Sequence, residues 1–167
     1  MKKLILSIFL LSLFIHYSRS ENTEYLDSIS NCVIDLFKQE KYLDCYNLAK
    51  DLYSLSKEAD DTTLVFNSLY YMGFSNQRMG NMEKAIDYNM QAYEVSQSLQ
   101  RLDLQSSILN NIGNVYMVND EDSVAAVYFE KSIDIENQLV VTGGGNDRRQ
   151  QLASRLGNIS TAYMKLG

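Results

Sequence analysis

The chain has 167 residues with no Pro, no Trp, one His and two Cys, and it carries 15 basic against 21 acidic side chains. That is the size of one modest domain, apolar enough at 46% to build a core and too apolar for a disordered tail. An acidic balance without a Lys/Arg stripe excludes nucleic acid and anionic membrane surfaces as main partners.

The first element is a leader. Met1-Lys2-Lys3, the apolar run Leu4 to Ile15 and the polar His16-Tyr17-Ser18-Arg19-Ser20 form the three regions of a secretory signal peptide, residues 1–20. Twelve apolar residues give a helix of roughly 18 Å, short of the roughly 30 Å hydrocarbon core of a bilayer, so export is expected rather than a permanent anchor. Removing residues 1–20 takes away three bases and no acid, and lowers the net charge from −6 to −9. It also removes the only His, which excludes Ser-His-Asp, Cys-His and His-metal chemistry from the rest.

Residues 21–167 read as one helical domain, with helices predicted at 23–38, 41–58, 62–79, 82–100, 104–118, 121–140 and 148–166. Asp60, Asn81, Asp103 and Asp120 stand where N-caps are wanted, and Gly80 suits a left-handed helix-closing residue. Thr142-Gly143-Gly144-Gly145-Asn146 reads as a linker insertion between two helices.

The same arrangement recurs. Leu69, Met72-Gly73 and Ala85 return as Leu109, Ile112-Gly113 and Ala125, each 40 residues later, and a degenerate copy places Cys45 where Ala85 stands. With Tyr116, Phe129 and Ser132 these residues resemble the tetratricopeptide repeat, over roughly residues 25–167 and in a form longer than the usual 34 residues. The resemblance implies an all-α, right-handed α-solenoid of antiparallel helix pairs, about three and a half repeats. We call the first helix of each pair the A helix and the second the B helix. Close approach is expected between Gly73 and Ala85 and between Gly113 and Ala125. Asn76 and Asn89 replace the two aromatics of one copy; they either bond to each other or sit at a half-exposed edge.

The last segment repeats an A helix at a spacing of 47 residues, from Gly113 to Ser160. Its apolar stripe Leu152, Leu156, Ile159 and Tyr163 has no B helix to cover it, so the chain is expected to be the amino-terminal piece of a longer protein.

Sites of chemistry are few. Gly143-Gly144-Gly145 lacks the Lys-Ser/Thr of a phosphate loop, and Asp120-Glu121-Asp122 lacks calcium-loop spacing and suits a helix N-terminus. Asn158-Ile159-Ser160 matches a glycosylation acceptor, but Ser160 falls at a helix-packing position. Cys32 and Cys45 lie on adjacent helices and are either two small buried hydrophobes or a disulfide closing that hairpin. No cofactor or metal is implied.

The resemblance places a peptide-binding groove on the concave face. Tyr70 and Phe74 line it from one copy, Asn110, Asn114 and Met117 from the next, and Asn111 and Asn158 stand at its edge. Tyr70 and Phe74 occupy the places where chaperone-binding members carry Lys and Asn, so a carboxyl-terminal clamp of that kind is not expected. Signal peptide plus long repeats is similar to the periplasmic sensing region of bacterial membrane regulators, which continue into a transmembrane helix and a histidine kinase or DNA-binding domain. The expected function is therefore a non-catalytic scaffold for a protein or peptide, touching the membrane only through such a downstream helix, with self-association open. The alternatives are a free-standing periplasmic or secreted adaptor or assembly factor and, more distantly, a carboxylate-based hydrolase.

Overall fold

The 40-residue period resolves into a 20-residue one. In a computed structural model, which describes residues 22–143 and 145–167, the helices are α1 (22–38), α2 (Tyr42–Glu58), α3 (Thr62–Arg78), α4 (Met82–Ser98), α5 (Leu102–Val118), α6 (Asp122–Val141) and α7 (Asn146–Leu166). From α2 to α6 each helix starts 20 residues after the one before. The signal-peptide prediction and Gly144 lie outside the described residues.

The regularity comes from the turns. Five successive turns close with a residue in the left-handed region: Glu40, Asp60, Gly80, Gln100 and Asp120, at φ 58, 55, 83, 54 and 59°. The next residue's N–H then donates to the carbonyl five positions back: Lys41 to Leu36 (3.0 Å), Asp61 to Ser56 (2.9 Å), Asn81 to Asn76 (2.8 Å), Arg101 to Ser96 (3.2 Å) and Glu121 to Tyr116 (2.9 Å). This is the Schellman closure, which satisfies the last carbonyls of a helix and reverses the chain in three residues. Only Gly80 supplies the residue best suited to it. A side chain in that conformation costs roughly 1–2 kcal/mol, and the four other turns are held there by the helix packing on either side.

The turns correct the predicted caps. Asp60 and Asp120 are the left-handed residues, not N-caps, and Asp103 lies in the first turn of α5. The cap before α3 is Asp61, whose carboxylate accepts from Leu64 N at 2.9 Å. Asn81 is an N-cap by position, but its amide donates to Asn76 Oδ1 at 3.3 Å instead of capping α4. Asp103 instead pairs with Arg101 at 2.6 Å, which holds its carboxyl below the usual carboxylate range.

Each helix packs on the next in sequence, and α5 also touches α3 and α7. The core is accordingly a chain of small clusters: Leu26, Val33, Cys45, Ala49, Leu52, Leu64 and Met72, then Phe66, Leu69, Ala92 and Ile108, then Ala125, Ala126, Phe129 and Ala162. Such nearest-neighbour packing is the mark of a solenoid. Where A and B helices meet, size is traded between partners. A Cβ on Gly113 would lie 2.6 Å from the Phe129 ring, and one on Gly73 would lie 2.5 Å from Asn89 Oδ1. Gly113 is therefore small to admit Phe129 rather than Ala125. Gly73 admits Asn89, with the Ala85 carbonyl 3.4 Å away.

Neither expectation for the asparagine pair holds. Asn76 and Asn89 are both buried, yet Asn76 Nδ2 donates to the Met72 carbonyl at 2.8 Å, and both amide atoms of Asn89 lack a partner among the described residues. The cysteines are not bridged either. Cys45 is buried with Sγ 3.5 Å from the Val33 carbonyl, while Cys32 is exposed. A helix turns about 100° per residue, so with Val33 facing Cys45 its neighbour Cys32 points away. Burial pushes the Cys45 thiol's pKa up, in keeping with an inert core residue.

The last helix is held differently. α6 runs to Val141 and α7 starts at Asn146. The 47-residue register places Arg155 on the position of Ile108, Ala162 on that of Val115 and Asn158 on that of Asn111, and Arg155 and Ala162 are buried like their counterparts. Arg155 is then a charge in the core, and Glu136 of α6, fully buried, meets it. Arg155 Nη2 lies 3.4 Å from Glu136 Oε2, and Arg148 Nη1 lies 3.5 Å from Oε1. Ser106 Oγ donates to Glu136 Oε2 at 2.9 Å, Ser132 Oγ donates to the Ser106 carbonyl at 2.7 Å, and Arg155 Nε donates to Ser132 Oγ at 2.9 Å. Burial lowers the Arg155 pKa, and the Glu136 charge 3.4 Å away opposes that shift. At the other end of α7, Lys165 Nζ reaches Asp120 at 3.4 Å and Asp122 at 3.3 Å.

The outer face of α7 is uncovered. Leu156 and Tyr163 are 48% and 49% exposed, whereas Leu109, the counterpart of Leu156, is 2% exposed. Leu152 is half-buried, and Ile159 packs on the last cluster. Ser160, expected at a packing position, is exposed for the same reason: nothing lies over it among the described residues.

Candidate peptide-binding groove

The A helices α3 and α5 run side by side and leave two pockets between them. One, of about 290 Å³, is lined by Phe66, Asn67, Tyr70, Tyr71, Leu104 and Ser107. The other, of about 370 Å³, is lined by Phe74, Gln77, Arg78, Asn114, Met117 and Val118. Four of the seven residues expected at the groove, Tyr70, Phe74, Asn114 and Met117, therefore line these pockets.

The other three lie elsewhere. Asn110 is half-buried and accepts at Oδ1 from Asn158 Nδ2 at 2.9 Å, so these two amides link α5 to α7. Asn111 does not stand at an open edge. It is 8% exposed, with Nδ2 lacking a partner among the described residues, because its position turns toward the neighbouring helices.

The floor beside the second pocket is aromatic. The Phe37 ring meets Phe74 at 5.0 Å edge-on and Tyr71 at 5.4 Å, and Tyr70 meets Tyr71 at 5.2 Å. Rings in such edge-to-face sets fix one another and present large rigid faces. The Arg78 guanidinium lies over Phe74 at 5.5 Å and over Tyr42 at 5.9 Å. Phe37 and Arg78 were not expected at the groove. Phe37 could have been found, since it stands 80 residues before Met117, two repeats back at the same position.

Helix pairs stacked at a constant interval, three-residue left-handed turns and a face lined by the A helices are the geometry of one architecture. The fold is that of a tetratricopeptide-type solenoid. The chain is similar to the crystal structure of nearly identical TPR-like repeats described as those of a kinesin light chain from Podosopora anserina, with a TM-score of 0.61 at 13% identity, covering 84% of this chain and 71% of that one. A single-substitution variant of that protein is similar to the same extent. No protein-family model matches the sequence, and no curated protein matches it. The tetratricopeptide-type fold thus rests on helix geometry shared at low identity.

Proposed function

We propose that this solenoid is a non-catalytic scaffold that holds an extended peptide segment of another protein in the groove between α3 and α5. The observation that carries the reading is the pair of aligned pockets, built from rigid aromatic faces and half-buried amides. Aromatic rings supply contact area at low entropic cost, and Asn side chains can donate to and accept from a peptide backbone. Retention of peptides selected from a random display library on the immobilised chain tests it. Phe74→Ala and Asn114→Ala are expected to lower retention at least about tenfold, as for central aromatic and amide contacts, while Glu94→Ala on the outward side of α4 leaves it unchanged. Equal loss in all three variants would refute the groove.

In the same proposal the scaffold acts outside the cytoplasm, in the periplasm, as the interaction module of a longer regulator. Two features support this: the three-part leader in residues 1–20 and the uncovered apolar face of α7, a surface suited to a further helix. No helix among the described residues is long and apolar enough to cross a membrane. Residues 1–30 fused to a reporter that folds only in an oxidising compartment are expected to give activity in a bacterial host. An inactive, uncleaved fusion would contradict export.

A further inference from the structure

We infer that the larger pocket takes an acidic side chain of the bound peptide and that Arg78 recognises it; this rests on the peptide-binding reading above and narrows its ligand. Arg78 is the single charged residue lining either pocket among the described residues, in a chain where acids outnumber bases 21 to 15. Two other cations near this end of the A helices have acidic neighbours within the fold, Lys38 with Asp35 at 3.9 Å and Lys165 with Asp120 and Asp122. Arg78 meets two aromatic faces instead, and no carboxylate among the described residues. The contacts with Phe74 and Tyr42 are cation–π contacts of the guanidinium carbon with ring faces, and they leave the N–H groups without a carboxylate partner among the described residues; a guanidinium fork grips a carboxylate with two parallel hydrogen bonds.

The rest of the pocket states what lies beside the acid. Phe74, Met117 and Val118 form an apolar wall, and the amides of Gln77 and Asn114 can hold the adjoining backbone. The smaller pocket, walled by Phe66, Tyr70 and Leu104, carries no charge and suits an apolar or aromatic side chain. From Tyr70 to Gln77 is about 10 Å along α3, the span of about three residues of extended peptide. The ligand is thus a segment with an apolar or aromatic residue and an acid three positions apart.

The test uses synthetic dodecapeptide pools with a fixed Tyr and, three positions away on either side, a fixed Asp, Asn or Lys, the other positions being uncharged and randomised. Retention on the immobilised chain at low salt is expected to be about tenfold higher for the Asp pool than for the Asn pool, as for a hydrogen-bonded charge pair. Arg78→Gln removes that advantage and Arg78→Glu transfers it to the Lys pool. Arg78 is exposed in the last turn of α3, so both variants keep the helical circular dichroism of the parent. Equal retention of the Asp and Asn pools, with Phe74→Ala still lowering both, would overturn the role of Arg78 and leave the groove standing. Retention indifferent to Phe74→Ala in every pool would overturn the groove and this inference together.

Discussion

Glu136→Ala is expected to destabilise the α5–α6–α7 end by about 3–5 kcal/mol, because it leaves the Arg155 guanidinium, 6% exposed, in the core without a counter-charge. Arg148 loses its contact at 3.5 Å and keeps Asp103 at 4.0 Å, and the Ser106 hydroxyl loses one acceptor and keeps the Ser132 carbonyl at 3.0 Å. A solenoid does not have to unfold as a unit, so the effect is read locally. Hydrogen exchange is expected to show α7 losing protection while α2 to α4 keep theirs. Replacing both charges, Glu136→Met with Arg155→Met, is expected to recover most of the loss, since a well-packed apolar pair commonly does as well as a buried ion pair. A change under 1 kcal/mol in Glu136→Ala would mean that the network does not hold α7.

Gly113→Ala is the second large effect. Alanine ordinarily gains about 1 kcal/mol over glycine in a helix interior, but the new Cβ would sit 2.6 and 2.7 Å from two atoms of the Phe129 ring. An aromatic ring with no exposed surface cannot swing aside, and overpacking of this kind costs about 1–3 kcal/mol or more. With the alanine gain subtracted, net destabilisation of about 1–2 kcal/mol is expected in urea denaturation. Phe129→Leu makes room and is expected to rescue part of it, giving a coupling energy between the two sites. Stabilisation by Gly113→Ala would contradict the packing described. The same change at Gly73 is expected to be milder, because its obstacle is the end of the Asn89 side chain.

What could be read from the sequence follows from what repeats. Gly73 and Gly113, Ala85 and Ala125 gave the period, and the seven predicted helices match the observed ones to within two residues at every boundary. The turns were legible only at Gly80, because Glu40, Asp60, Gln100 and Asp120 in the left-handed region carry no local signature; packing on both sides imposes it. The side of the helix was legible where a residue's repeat position decides its direction, and Tyr70, Phe74, Asn114 and Met117 line the two pockets between α3 and α5. Asn111 failed because a position at the edge of a groove differs from a buried one by a small rotation of the helix.

The buried network was missed for a different reason. Glu136 stands at the repeat position of Ser56 and Ser96, both buried, and Arg155 at that of buried Ile108. Each alone reads as a solvated charge. Only the two registers, 40 for α6 and 47 for α7, bring an acid and a base to the same buried place.

The most direct measurement is to map backbone amide shifts in the purified chain as a peptide selected on it is titrated in. If the groove is the binding site, the largest changes fall on α3 and α5, at Tyr70, Phe74, Asn114 and Met117 and around Arg78. Changes confined to α2, α4 and α6, or to the uncovered face of α7, would contradict it.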